Sequence, residues 1–300
     1  MNILITGFNG FLGKNLYSFL KKKNYALFGI GRKSRYFKYN YKNIRIKNIA
    51  IQNVTVKNIK SFNKKFSFII HCAGSGIVNL PKKKHNLDNL NTTKSILKYV
   101  NKYDKNCRVI TISSISIFGN KKKSININSK KKPISSYART KLYAEKICEY
   151  YYKKHNLNIA ILRISSLYGN GIKKQFIYDS LEKLYSNNNI FFGTGNEIRD
   201  FIHVKDVINL IFQVMKKNFS GFRIINCGSA KGYRIKNILK YIISKTNISF
   251  NPIFNNKYTK INPMLLKFKK VYNKEFNWKP RVNFFKGLNQ YIIWYKKNCL

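Results

Sequence analysis

Apolar residues gather in short runs separated by glycines and by polar stretches with helical spacing. Residues 2–6 form one such run, glycines stand at Gly7, Gly10 and Gly13, and 14–23 carries Leu16, Phe19 and Leu20 at helical spacing. A second apolar run fills 25–30. That order predicts strand, glycine turn, helix and strand, the opening of a parallel α/β sheet. Further buried-strand candidates are 66–73, 108–113, 159–164 and 223–226, and helical patterns cover 89–103, 136–154 and 204–217. Strands alternating with helices favour a doubly wound Rossmann sheet. The basic stretch 121–133 has no period and predicts a surface loop. Segments 169–199 and 230–300 alternate less clearly and read as cover over the open edge of the sheet, a smaller substrate-binding region toward the C-terminus.

Composition changes the picture in one respect. The 300 residues hold 59 Lys+Arg against 10 Asp+Glu, a formal charge of +49, which points first to nucleic acid. Yet Lys, Asn, Ile, Phe and Tyr make up roughly 58% of the chain, far above ordinary usage. All five have A/T-rich codons, and Lys exceeds Arg about fivefold, so compositional drift explains the charge better than a selected, Arg-rich phosphate reader. The field still draws anionic substrates and predicts nucleic-acid binding that is non-specific and confined to low salt. Five scattered cysteines without CxxC spacing argue against a disulfide framework or a zinc site and fit a reducing, cytoplasmic setting. No metal site is expected. No apolar run approaches a membrane span, and 1–13 reads as strand and turn rather than a signal peptide.

The glycine turn carries the first candidate chemistry. GxxGxxG directly after a strand and at the start of a helix suits a dinucleotide: Gly7 permits the tight turn, Gly10 lets the backbone approach a pyrophosphate, and Gly13 lets helix pack on strand. Gly7, Asn9, Gly10, Phe11, Leu12 and Gly13 are therefore expected to line a cofactor. A carboxylate at the end of the second strand would accept hydrogen bonds from the adenosine ribose. Here that stretch reads Gly31-Arg32-Lys33, with no acid and two cations, which favours NADP(H) over NAD(H) through a 2′-phosphate on Arg32. The second candidate is Tyr137-Ala-Arg-Thr-Lys141. Residues four apart share a helix face, and an ammonium near a phenol lowers its pKa, so Tyr137 is expected to exchange protons near neutral pH. Upstream, an apolar strand ends in Ser113-Ser114-Ile-Ser116, placing the Ser114 hydroxyl where a doubly wound sheet binds ligands.

These blocks occur in the order of the extended short-chain dehydrogenase/reductases, and the resemblance continues. His71-Cys-Ala-Gly74, Phe118-Gly119, Leu162-Arg163-Ile-Ser-Ser166-Leu-Tyr168-Gly169, the segment from Gly193 to Val207 with Arg199-Asp200-Phe-Ile-His203, Asn226-Cys-Gly228 and Trp278-Lys-Pro280 are similar to the family's blocks over nearly the whole chain. Together they resemble the NAD-dependent epimerase/dehydratase branch that acts on nucleotide-activated sugars, typified by the UDP-glucose/galactose 4-epimerases. The resemblance implies Tyr137 as acid/base, Lys141 as its tuner and ribose anchor, and Ser114 on the reacting oxygen. It implies Ala73 and Asn89 beside the cofactor, Ser116 and Ser166 at the substrate, and Arg199 on the substrate diphosphate. Asp200, His203 and Asp206 read as structural. It further implies a dinucleotide-binding domain of 1–166, rejoined by 201–228, and a substrate-binding region of 167–200 and 229–300. The helices near 89–103 and 136–154 are the dimer contact of many relatives, so a homodimer is expected.

The departures matter as much. The family's acid after the second strand is Gly31, its adenine-contacting Asp is Asn48, and its Asn after the LR strand is Ser166. The late Arg that closes the nucleotide pocket has no clear counterpart near 257–263, where Lys257 or Lys260 stands. Ile115 and Ser116 occupy the places of the Asp-Glu pair that 4,6-dehydratases use to eliminate water, which argues against that reaction. Hydride chemistry at C4 of a nucleotide sugar remains, as an epimerase or a ketoreductase. The competing reading is a non-catalytic Rossmann protein that binds RNA or serves as a scaffold.

Overall fold

The computed structural model describes residues 1–31, 44–48, 54–74, 86–255 and 263–300. Arg32, Lys33, Lys257 and Lys260 lie outside the described residues. The first half runs β1 (Asn2–Thr6), α1 (Phe11–Leu20), β2 (Ala26–Gly31), β3 (Ile44–Asn48), α2 (Val56–Lys60), β4 (Phe68–His71), a π-helical turn (Asn86–Asn91), α3 (Thr92–Tyr103), β5 (Arg108–Ser114), α4 (Ser136–His155) and β6 (Ile159–Ile164). The second half runs β7 (Ser166–Tyr168), α5 (Gln175–Tyr185), β8 (Ile190–Phe192), β9 (Ile198–Arg199), β10 (Phe201–His203), α6 (Val204–Lys216), β11 (Phe222–Cys227), β12 (Tyr233–Arg234), α7 (Ile235–Ser244), β13 (Ile253–Asn255), β14 (Leu265–Leu266) and α8 (Phe284–Cys299).

Seven strands form one sheet in the order β11-β6-β5-β4-β1-β2-β3. The registers from β3 through β2, β1 and β4 to β5 are parallel. Strand order reverses at β1, so the C-terminal ends of β1 and β4 flank a topological switch point, where doubly wound sheets bind ligands. The glycine turn leaves β1 there, and His71 to Gly74 leave β4 there. The sheet is the Rossmann arrangement expected from the sequence.

One face of the sheet buries Leu4, Phe28, Ile30, Ile69, Val109 and Ile161 against Ile96, Leu97 and Val100 of α3. Phe28, Phe62 and Phe66 meet edge to face at 5.3–6.1 Å between ring centres, a geometry that adds to the burial of each ring. The phenylalanines that drift supplied are thus packed, not surplus. Helix α4 is closed at both ends: Ser135 accepts from the Ala138 amide at 3.1 Å, and Asn156 takes the left-handed conformation that stops the helix. The N-cap fixes the first turn, which carries Tyr137.

The chain divides into two compact units. The first comprises Met1–Ile117, Ser135–Arg163 and Ile208–Ile225, and the second comprises Phe118–Ile134, Ile164–Val207 and Asn226–Leu300. These boundaries differ from the sequence-based ones chiefly at 118–134 and 201–207, which group with the second unit. Hydrogen bonding gives the reason. Ile125 exchanges backbone bonds with Lys267 and Lys269 at 2.8 and 2.7 Å, and the Asp206 carboxylate accepts the amides of Arg281 and Val282, both at 3.0 Å.

Candidate active site

The turn after β1 is built for close approach. Gly7 has φ +69°, and a Cβ there would stand 2.6 Å from the Ala73 amide nitrogen. A Cβ on Gly13 would stand 2.4 Å from the Gly7 carbonyl oxygen, so α1 can pack on the turn only as glycine. Gly10 occupies the N-cap of α1 without a side-chain cap, so the first-turn amides keep their affinity for an anion. Asn9 is half-buried, Leu12 is buried, and the Phe8 amide donates to Ile30 at 3.2 Å, which ties the turn to β2.

Ser114, Ser116, Tyr137 and Lys141 all lie in the first unit. Ser114 closes β5, and its hydroxyl favours ionisation of the Tyr137 phenol. Ser116 donates to the Ser114 hydroxyl oxygen twice, from its amide at 3.2 Å and its hydroxyl at 2.9 Å. Lys141 is buried and donates to the Ile112 carbonyl at 2.9 Å, with Nζ 5.9 Å from the centre of the Tyr137 ring. This differs from the expected electrostatics. Burial raises the Tyr137 pKa above the ordinary phenol value, and the opposing influence is the Ser114 hydroxyl rather than Lys141. Lys141 itself is pushed down to about 8 by burial, with Glu145 among the groups that hold it up.

Two sets of buried partners escaped the sequence reading. The first is a pair of charges: Arg163 (1% exposed) donates to Glu145 (6% exposed) at 2.8 and 3.0 Å, and Ser113 donates to the same carboxylate at 2.6 Å. Glu145 lies one turn beyond Lys141, and its scarcity was a usable signal, since it is one of only 10 acids in the chain. The second is a directed chain. Thr93 donates to the Asn89 carbonyl at 2.7 Å, so its oxygen accepts from His71 Nε2 at 3.2 Å, and His71 Nδ1 accepts from Thr6 at 2.8 Å. His71 is therefore the neutral Nε2–H tautomer, with its pKa pushed down to about 3, first by burial and then by the charge of Lys141. Asn89, expected beside the cofactor, stands in the π-helical turn. Its side-chain amide donates to Thr140 at 3.2 Å, while its buried Oδ1 has no hydrogen-bond partner.

In the second unit Ser166 and Arg199 line a cavity of ≈ 270 Å³ with Glu197, Lys174, Phe192 and Phe201. Burial lowers the Arg199 pKa to about 10, and Glu197 raises it. Asp200 accepts from Ser165, from the amide and hydroxyl of Ser229, and from the amides of Ala230 and Phe268, at 2.7–3.3 Å. Asp206 holds the segment after Trp278, whose indole donates to the Asp206 carbonyl at 3.1 Å. His203 accepts from the Lys205 amide at 3.2 Å and packs edge-on to Tyr168. Asp200, His203 and Asp206 thus join elements within this unit.

A sequence profile of the NAD dependent epimerase/dehydratase family matches residues 3–228, three quarters of the chain. The chain belongs to that family. This epimerase/dehydratase is 26% identical to a putative UDP-glucose 4-epimerase of Methanocaldococcus jannaschii, over 99% of both chains. It is 25% identical to a UDP-glucuronate 4-epimerase of Thermodesulfobacterium geofontis, over 98% of this chain and 96% of the other. Its fold matches the crystal structure of the UDP-glucuronic acid 4-epimerase of Bacillus cereus in complex with UDP-glucuronic acid and NAD, with a TM-score of 0.84, 22% identity and 99% of each chain covered.

The residues of this epimerase/dehydratase fit a dinucleotide. A Cβ on Gly74 would stand 2.6 Å from the orphaned Asn89 Oδ1 and 3.2 Å from Lys141 Nζ, so a buried acceptor and a cation with unused donors meet at a place only glycine leaves open. That set suits the paired hydroxyls of a ribose, and the uncapped α1 terminus suits a pyrophosphate. Among the described residues no helix is long and apolar enough to cross a membrane.

Proposed function

We propose that this chain interconverts C4 epimers of a UDP-activated sugar, with NAD(H) as its cofactor. The grouping of Ser114, Tyr137 and Lys141 around one end of α4, beside the orphaned Asn89 Oδ1, carries the reading. Tyr137 takes the proton of the sugar C4 hydroxyl and later returns it, while Ser114 donates a hydrogen bond to the oxygen that gains charge. Lys141 leaves the Ile112 carbonyl to hold the ribose, and its charge then supports the phenolate. Bound at the glycine turn, a nicotinamide dinucleotide supplies the hydride acceptor and donor. In the second unit Arg199 grips the diphosphate by its bidentate donors, and Ser166 adds a hydroxyl where the family has Asn. On this reading 1–166 with 201–228 binds the dinucleotide, and 167–200 with 229–300 binds the sugar nucleotide.

A second reading is a ketoreductase that uses NADP(H). Gly31 favours it: it supplies no carboxylate for the adenosine ribose, and a side chain there would meet the Asn9 amide nitrogen at 3.1 Å and Asn9 Cγ at 3.3 Å, so Asn9 would have to give by a few tenths of an ångström. NAD-dependent epimerisation ranks first because two relatives that match nearly the full chain are named 4-epimerases, whereas one of similar coverage is named a CDP-abequose synthase. We further assign a homodimer through α3 and α4, where Tyr143 and Tyr150 are each 52% exposed one heptad apart. Mass analysis of nucleotides released on denaturing the purified protein tests the cofactor. Near-stoichiometric NAD⁺ is expected. An empty protein that binds NADPH more tightly than NADH overturns the epimerase in favour of the ketoreductase.

A further inference from the structure

We propose that Thr140 is a positioning residue of the cofactor site: it turns the Asn89 carboxamide so that the oxygen, not the nitrogen, faces the ribose held beside Tyr137. The proposal rests on the reading of Asn89 and Lys141 as ribose contacts. It follows from where each hydrogen can go. A threonine hydroxyl has one hydrogen and two lone pairs, and a carbonyl can only accept. Thr140 donates its hydrogen to the Tyr137 carbonyl at 2.8 Å. Its oxygen is therefore an acceptor toward Asn89, whose side-chain nitrogen stands 3.2 Å away. The reversed carboxamide would set two oxygens against each other with no hydrogen between them, so the chain's own bonding fixes the orientation. Asn89 Oδ1 is left without a partner beside Gly74.

That orientation suits the ligand. A Cβ on Gly74 would stand 2.6 Å from Asn89 Oδ1 and 3.2 Å from Lys141 Nζ, so both groups address one point. An oxygen there sets an acceptor beside the ammonium donors, and a ribose diol can donate to the one and accept from the other. An amide nitrogen in its place would set donors beside donors and leave the ribose hydrogens without an acceptor. Thr140 stands three residues after Tyr137 and one before Lys141, so the residue that aims the acceptor rides on the helix that carries the acid/base. The backbone of Asn89 is held from the other side. Thr93 donates to its carbonyl at 2.7 Å, His71 donates to Thr93 at 3.2 Å, and Thr6 donates to His71 at 2.8 Å. Thr6 ends β1 and directly precedes Gly7. One line of hydrogen bonds thus ties the glycine turn to α4 through Asn89, and the π-helical turn at its centre is a form that often marks functional sites.

The test compares two ligands by calorimetry on the full chain: ADP, which ends at the diphosphate, and ADP-ribose, which adds the second ribose. The parent is expected to bind ADP-ribose about tenfold or more tightly than ADP, the worth of hydrogen bonds that include a charged group. Thr140 is buried, so removing its hydroxyl leaves the carboxamide free to turn. Thr140→Val is expected to cut the preference for ADP-ribose about three- to tenfold and to leave ADP affinity unchanged. Thr140→Ala is expected to do the same, and Thr140→Ser, which keeps the hydroxyl, to retain the parent preference. In the Asn89→Ala background, Thr140→Val is expected to add nothing. A preference unchanged in both Thr140→Val and Thr140→Ala, an equal loss of ADP and ADP-ribose, or an undiminished effect in the Asn89→Ala background overturns the proposal. A parent that binds the two ligands alike overturns the ribose reading and the proposal with it. No sugar nucleotide enters the titration, so a protein that turned over no nucleotide sugar would sink the proposed function and leave this result standing.

Discussion

Replacing Glu145 by alanine strips a guanidinium of its counter-charge inside the first unit. Arg163 is 1% exposed and donates to both Glu145 oxygens. Breaking a buried pair in this way costs about 3–5 kcal/mol, because the remaining charge keeps its full desolvation penalty. Loss of the Ser113 bond at 2.6 Å adds to that. Against a total stability of about 5–15 kcal/mol the effect is large. For a urea slope of about 3 kcal/mol/M, the unfolding midpoint of Glu145→Ala falls by about 1–2 M, followed by circular dichroism. The double variant Glu145→Leu/Arg163→Met removes both charges and recovers most of the loss, since a hydrophobic replacement of matched volume is close to neutral. A midpoint within about 0.3 M of the parent, roughly 1 kcal/mol, would refute the reasoning, as would a double variant less stable than the single one.

Other outcomes follow from the same structure. Tyr137→Phe lowers turnover by about 10²–10⁴-fold while cofactor binding, read by fluorescence quenching, stays near the parent value; equal loss of both would mean a role in folding. Gly13→Ala places a methyl 2.4 Å from the Gly7 carbonyl and weakens dinucleotide binding by about tenfold or more in calorimetry, with an overpacking cost of about 1–3 kcal/mol. His71 is neutral when folded, with a pKa of about 3 against 6.5 when exposed, so the unfolded chain binds more protons and its contribution is lost as pH falls below 6.5. The stability gap between the parent and His71→Gln accordingly narrows by about 1 kcal/mol from pH 6.5 to 5.5 in urea titrations. RNA binding, followed by filter retention, collapses between about 50 and 200 mM salt; retention that survives about 300 mM would restore the RNA-binding reading.

The opening of the fold was legible because its signals are local. Glycines at 7, 10 and 13 have no other economical use after an apolar run, and β1, α1 and β2 follow where the pattern predicts. Tyr137 and Lys141 were legible through spacing, and Ser114 through its place at a strand end. The partners of those residues were not. Glu145 meets Arg163 across 18 positions, His71 meets Thr6 across 65, and no periodicity encodes such pairings. Strand β3 escaped because Ile44-Arg-Ile-Lys-Asn48 alternates apolar and basic residues in a chain where lysine is everywhere. The expectation that Lys141 lowers the Tyr137 pKa came from helix spacing and the family resemblance, neither of which reveals that the ammonium donates to the Ile112 carbonyl. Drift toward lysine has one legible limit: Glu145, Glu197, Asp200 and Asp206, four of 10 acids, are buried and bonded, where a cation could not replace them.

The central claim is tested most directly by incubating the purified protein with UDP-glucose and, separately, UDP-glucuronate, and following the C4 epimers by proton NMR. The account predicts that at least one is converted to a mixture with its C4 epimer, without net consumption of added NADH or NADPH, and that Tyr137→Phe abolishes the conversion. No epimer from either sugar, or conversion undiminished in Tyr137→Phe, would contradict it.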